Sequence, residues 1–263
     1  MIFSWLRRQR RKRILAESFP QTWHDIIASN VRHVARLPLQ RQKHLQDFVQ
    51  VFVAEKNWEG CNGFSVTEEV KVTIAAQASL LVPDDSKHFF DNVLSVLIYP
   101  DTYISKDRDT NADGVVTESE TAMLGQAVWR GPVVLSWDDV LAGGRGQTRG
   151  ENLVLHEFVH QLDMMNGRFV DGIPPLESKV QLDRWLAVVK PEFQAHQRNC
   201  RRRTPTVFNC YGAQNEAEFF SVTVECFFEN PVPMQLHHPQ IYGLYSDYFQ
   251  ICPVSVFHDH YTT

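Results

Sequence analysis

The stretch LVLHEFVHQLDMMNG, Leu153 to Gly167, decides how the chain reads. Its apolar positions recur at helical spacing, and Asn166-Gly167 supplies a C-terminal stop. On such a helix His156 and His160, four apart, project from one face about one turn from each other. Leu155, Phe158, Val159 and Leu162 can then anchor the other side in a core. A helix that buries two histidines must satisfy their ring nitrogens, and a metal ion is the simplest partner. Glu157 stands between them, giving His-Glu-x-x-His. In that arrangement two neutral imidazoles bind Zn²⁺ and the glutamate serves as general base.

A hydrolytic zinc site needs a third protein ligand and leaves one position for water. A third histidine at metzincin spacing is absent, since residues 163 and 166 are Asp163 and Asn166. Asp171, Glu177, His196, Glu216, Glu218 and Glu225 also follow the helix. Asp163 shares the histidine face but lies too close along the chain to close a tetrahedron, so it reads as a supporting group. Glu177 falls in the first turn of the next helix, where a carboxylate is favoured anyway. Glu218 and Glu225 are seven apart on one helix face. Glu218 also stands three residues after Asn215, which matches a helix-capping pair. From pattern alone, Glu218 is equally a ligand and a cap, and Glu225 is a supporting carboxylate or an alternative ligand.

The 263 residues are 43% hydrophobic and 22% charged, ordinary for a globular protein, with a net charge of −5. The run RRQRRKR at residues 7–13 is strongly basic and leaves the remainder more acidic still, which argues against a nucleic-acid-binding body. The run itself reads as a solvated, frayed terminus; contact with an anionic surface or DNA is the rival reading. No secretory signal follows it, and no apolar run is long enough to span a membrane. Five cysteines without a Cys-x-x-Cys pair predict inert thiols, no disulfide and a reducing, cytoplasmic setting. His237, His238, His258 and His260 near the end read as solvated.

Residues 22–56 predict two helices split by Pro38, and 66–82 a helix stopped by Pro83. VLSVLIYP (93–100) and GPVVLSW (131–137) predict strands, the second followed by a glycine-rich loop, AGGRGQTRGEN. Further helices are expected over 176–190, ended by Pro191, over 215–229 and over 241–251. The class is α+β, mostly helical, with a small sheet beside the metal-binding helix. The division expected is a basic segment, 1–20, and one zincin-like domain, 21–263.

Taken together, HEFVHQLDMMNG (156–167) and YGAQNEAEFF (211–220) resemble the Mlc titration factor A family of bacterial zinc peptidases. FPQTW (19–23), VQVFVAEKNWEG (49–60), VTIAAQASLL (72–81) and RGPVVLSWDDV (130–140) extend the resemblance over most of the chain. The second segment is also similar to the catalytic end of anthrax lethal factor. The resemblance implies Glu218 as third zinc ligand, Tyr211 as a catalytic hydroxyl, a gluzincin-type fold and aminopeptidase-like activity. It also implies a partner, the glucose-responsive repressor Mlc, whose sequestration would regulate the sugar phosphotransferase system. The rival from another class is a regulator that holds zinc but acts only by protein binding; Glu157 and Tyr211 speak against it, because a structural site needs neither.

The family's pattern departs at 106–120. There DTNADGVVTESE matches an EF-hand loop, with Asp109, Asn111, Asp113, Val115, Thr117 and Glu120 at the ligand positions and Gly114 at the turn. Ca²⁺ is one reading, and a polar surface turn on Asp113-Gly114 is the other.

Overall fold

The structure is a computed structural model that describes residues 2–84, 88–101, 131–148, 150–167 and 170–257. The calcium-loop expectation, residues 109–120, lies outside the described residues. Helices dominate, as the periodicity predicts. They are α1 (Ile2–Ile14), α2 (Gln21–Asn30), α3 (Leu39–Glu55), α4 (Glu68–Ala78), α5 (Trp137–Gly144), α6 (Leu153–Asp163) and α7 (Lys179–Arg201). After these come α8 (Glu216–Glu229), α9 (Pro231–His237), α10 (Pro239–Phe249) and α11 (Pro253–Phe257). Strands β1 (Asn57–Gly60), β2 (Ser95–Tyr99) and β3 (Val133–Ser136) form a parallel sheet in the order β1-β2-β3.

The sheet turns one face inward. Val96 and Ile98 alternate with half-buried neighbours, and Val133 and Leu135 sit beside them in register. Strand β1 is not visible in the sequence because NWEG lacks an apolar alternation; its pairing with β2 comes from tertiary context. Between β1 and β2 runs α4, buried almost all round, with Val72, Ile74, Ala75 and Ala76 inaccessible. Its small side chains let α2, α3, α5 and α6 approach it together. Helix α6 lies between this layer, β3 and α8, so the histidine helix is set in the middle of the core.

Three expectations need correction. The glycine-rich loop begins as a helix, α5, capped by Ser136, whose hydroxyl accepts from Asp139 N. Gly144 is there for close packing: a Cβ would sit 2.4 Å from Asn30 O on α2. Helix α7 runs through Pro191 instead of ending there. Trp185, Val189 and Phe193, on both sides of the proline, are buried, and that burial offsets the roughly 3 kcal/mol that an interior proline costs.

The third correction concerns the basic run, which is helical and docked. Arg10 donates to Ala54 O at 2.9 Å, and Arg11 donates to both carboxylate oxygens of Glu55 and to Asp91. Arg11 and Glu55 are only 14% and 12% exposed, so the pair is shielded enough to matter. Arg11→Ala is expected to lower unfolding free energy by about 1–3 kcal/mol in urea titration. Exposed Arg8→Ala should stay within about 0.5 kcal/mol.

Candidate metal centre

The site is built where α6 crosses α8. Helix α6 starts at Asn152, whose side chain accepts from Leu155 N at 3.1 Å. One turn later His156 and His160 face α8, their rings nearly perpendicular with centroids 4.9 Å apart. Helix α8 starts at Asn215, whose side chain accepts from Glu218 N at 2.9 Å. The two readings of Glu218 are therefore compatible. Its amide completes the cap, while its carboxylate Oε2 lies 3.0 Å from His156 Nε2 and 3.5 Å from His160 Nε2.

These three side chains can offer one ligand atom each, all within 4.8 Å of one another. Two ligands held about 2.0–2.1 Å from one tetrahedral ion stand about 3.3 Å apart, close to the separations here. Glu218 Oε2 is buried and receives no hydrogen bond of good geometry, although both rings are near. A carboxylate oxygen and two imidazoles aimed at one point, without donating properly to each other, are a donor set that fits a divalent cation. Without a metal, the charges here favour a proton on His156, which a bound cation would have to displace. Burial by itself would lower His156 and raise Glu218. The carboxylates Glu225 and Glu218 instead push His156 up to about 10, and the two histidines hold Glu218 well below the usual carboxylate range.

Glu225 is the residue that orients the centre. Its Oε1 is 2.7 Å from His156 Nδ1, and its Oε2 accepts from Asn152 N at 2.6 Å. A proton on Nδ1 satisfies this contact and leaves Nε2 to face Glu218. Ser221 lies beside His160. Its hydroxyl donates to His156 O at 3.3 Å, and its oxygen lies 3.4 Å from His160 Nδ1 and 3.5 Å from Nε2, so it packs against that ring without choosing between its nitrogens.

Asp163 is fully buried and turned away from the centre. Its carboxylate accepts from Gly172 N at 2.7 Å and from Asp171 N at 3.3 Å. That clamps a loop against the first turn of α8, where Gly172 adopts φ +77° and a Cβ would meet Glu216 O at 2.6 Å. Glu157 is half-buried, beside rather than among the converging ligand atoms. Tyr211 lies in the short turn Cys210–Ala213, its amide held by the Asn209 side chain at 2.9 Å and its ring centroid 5.9 Å from that of His156. Asp171, Glu177 and Glu216 do not join the ligand cluster, and His196 packs with Cys200 and Cys210 instead. A cavity of about 600 Å³ opens beside the centre, lined by Glu151, Leu153, His156, Tyr211 and Glu225 among others.

Two features escaped the sequence. The first is Glu229, buried one turn beyond Glu225. It accepts from Asn152 Nδ2 at 2.9 Å, meets His33 Nε2 at 3.1 Å and pairs with Arg32 at 2.5 Å. The four-residue spacing of the two glutamates was a signal; the partners 77 to 197 residues away were not. The second is a disulfide, Cys200–Cys210, which corrects the expectation of no disulfide and with it the argument for a reducing setting drawn from the cysteines. Cys61, Cys226 and Cys252 are free.

The comparisons with known proteins place the chain among the metallopeptidases. It belongs to the family described as glucose-regulated metallo-peptidase M90, which matches residues 5–250. The Synechocystis sp. protein slr2042 is 32% identical over 247 residues, which cover 93% of this chain and 89% of that protein. The Mlc titration factors A of Yersinia pestis and Yersinia pseudotuberculosis are each 27% identical over 239 residues, 89% of this chain and 85% of theirs.

Asn152 caps α6 and partners Glu229, so Asn152→Ala removes two buried bonds at once. It is expected to cost about 1–3 kcal/mol, read from the urea midpoint. Asn152→Asp, which keeps the cap but sets a carboxylate against Glu229, should be no better.

Proposed function

We propose that this chain is a zinc peptidase of aminopeptidase-like, gluzincin type, with His156, His160 and Glu218 as its metal ligands. The observation that carries this reading is the convergence of His156 Nε2, His160 Nε2 and Glu218 Oε2 from two crossed helices. When bound, zinc supplies Lewis acidity that activates water and polarises a peptide carbonyl. The remaining work falls to the chain. Glu157 takes the proton from the attacking water and passes it to the leaving amine. The Tyr211 hydroxyl donates to the carbonyl oxygen as negative charge develops there. Glu225 holds the His156 ring in the productive tautomer, and Ser221 packs against that of His160. Among the described residues β3 pairs only with β2, so its outer edge can receive an extended substrate by strand addition.

A second role is favoured by the relatives named for titrating Mlc. We propose that this chain binds and sequesters a repressor of that type, acting in the cytoplasm, and so regulates sugar uptake. Among the described residues no helix is long and apolar enough to cross a membrane. The rival reading, a zinc-containing regulator without hydrolysis, makes the opposite demand on Glu157.

Glu157→Gln should retain zinc by metal analysis yet lose at least about 100-fold in hydrolysis of aminoacyl reporter substrates. Persistent hydrolysis would sink the assignment of the base, while repressor binding by the variant would separate the two roles. Glu218→Ala should lose the metal. Glu225→Ala should weaken zinc binding by about 10–100-fold, as expected for a residue that orients a ligand. Zinc lost only in the Glu225 variant would reverse their roles. Tyr211→Phe should lower kcat by about 100-fold with KM little changed.

A further inference from the structure

We propose that Cys200–Cys210 is a thiol–disulfide switch that sets the rigidity of the wall carrying Tyr211; this rests on the peptidase reading of that site. The bond ties the last turn of α7 to the residue just before Tyr211. Between the two cysteines runs a strap, residues 201–209, and its second half forms the wall of the cavity. Thr206, Val207, Phe208 and Asn209 line it, followed by Tyr211 itself. Asn209 joins the strap to the centre: its side chain accepts from Tyr211 N and donates to Glu151 Oε1 at 2.8 Å. Its carbonyl accepts from His196 Nε2 at 3.1 Å, and the same ring lies against Cys200 Sγ, 3.6 Å away. The first half of the strap, residues 201–205, is exposed, so the strap is anchored by Phe208, by the hydrogen bonds of Asn209 and by the disulfide.

The bond is open to exchange. Cys210 is exposed and Cys200 partly so, and the exposed Arg198, Arg201, Arg202 and Arg203 lie within three residues of Cys200. Such a basic setting favours thiolate and attracts an anionic thiol. Exchange with a low-molecular-weight thiol RSH balances without any other reactant. The RS⁻ thiolate attacks Cys210 Sγ, the S–S bond breaks, and Cys200 leaves as a thiolate that takes up a proton. A second RSH resolves the mixed disulfide, releasing the Cys210 thiol and RSSR. Two thiols are oxidised and one protein disulfide is reduced; RSSR reverses the process.

In the disulfide state the strap is closed on itself and Tyr211 is held beside His156. In the dithiol state Phe208 and the hydrogen bonds of Asn209 still anchor the strap, but the residue preceding Tyr211 loses its covalent tie. A donor that must meet charge only as it develops is sensitive to small displacement, so the dithiol form is the slower one.

The test uses the full-length, zinc-loaded protein in buffers of set glutathione to glutathione-disulfide ratio. Alkylation and mass spectrometry report the state of Cys200 and Cys210. Reporter hydrolysis and amide hydrogen exchange over residues 204–213 are followed in parallel. As the pair is reduced, kcat should fall about tenfold with a smaller change in KM and unchanged metal content, and exchange should quicken. Cys200→Ser/Cys210→Ser should sit at the reduced level in every buffer. Equal kcat and equal exchange in both states, or a pair that never reduces, would overturn the switch. If neither state hydrolyses peptide yet exchange follows the thiol state, the peptidase reading fails and the switch stands.

Discussion

The contact between His156 Nδ1 and Glu225, 2.7 Å long and buried, is the constraint on which the rest of the centre depends. A carboxylate in a core costs several kcal/mol unless it is paired and hydrogen-bonded. Glu225 is tolerated because His156 and the amide of Asn152 satisfy it. In return it fixes which nitrogen of His156 faces Glu218. It also links the start of α6 to the middle of α8, so the crossing of the two helices and the orientation of the ligands are one event. The apolar contacts around the crossing, with Phe158, Val159, Phe219 and Phe220 fully buried, supply the driving force. The polar pairs supply the register.

Around that crossing the molecule sorts into parts of different rigidity. The proposed ligands sit on helices embedded in the core, as a site requiring sub-ångström placement demands. The groups that would meet substrate, Tyr211 and the Asn209 strap, sit on a turn outside it. Asp163 and Gly172 form a third element, a loop clamped against the N-terminus of α8, which steadies the turn that carries Glu218.

Local patterns were legible from residues alone. The histidine helix, its cap region, α8 and the strands β2 and β3 all follow from periodicity and punctuation. The pairing of Glu218 with the histidines was not decidable there, because Asn215-x-x-Glu218 is also good capping grammar; the structure shows that amide and carboxylate serve separate ends. What pattern missed was long-range. The arginines of α1 find Glu55 and Asp91, Gly144 of α5 lets Asn30 approach, Cys200 finds Cys210, and β1 is a strand only because β2 lies beside it. In each case the local signal was ambiguous or pointed elsewhere, and a partner distant in sequence decided it.

Glu229 gives helix α2 and the turn after it an unexpected place in the site. Through Asn152, Glu225 and Glu229, His33 is joined to His156 by an unbroken line of buried polar contacts, with Arg32 at its part-buried end. The members of such a line depend on one another. Loss of one member strands a charge or a donor in the core, while simultaneous exchange of neighbours for a well-packed apolar set can be nearly neutral. Substitutions at positions 32, 33, 152 and 229 should therefore be epistatic with one another. A family member that differs at one of them would be expected to differ at others too. The lineage of the metal centre is then written partly in residues that never approach the metal.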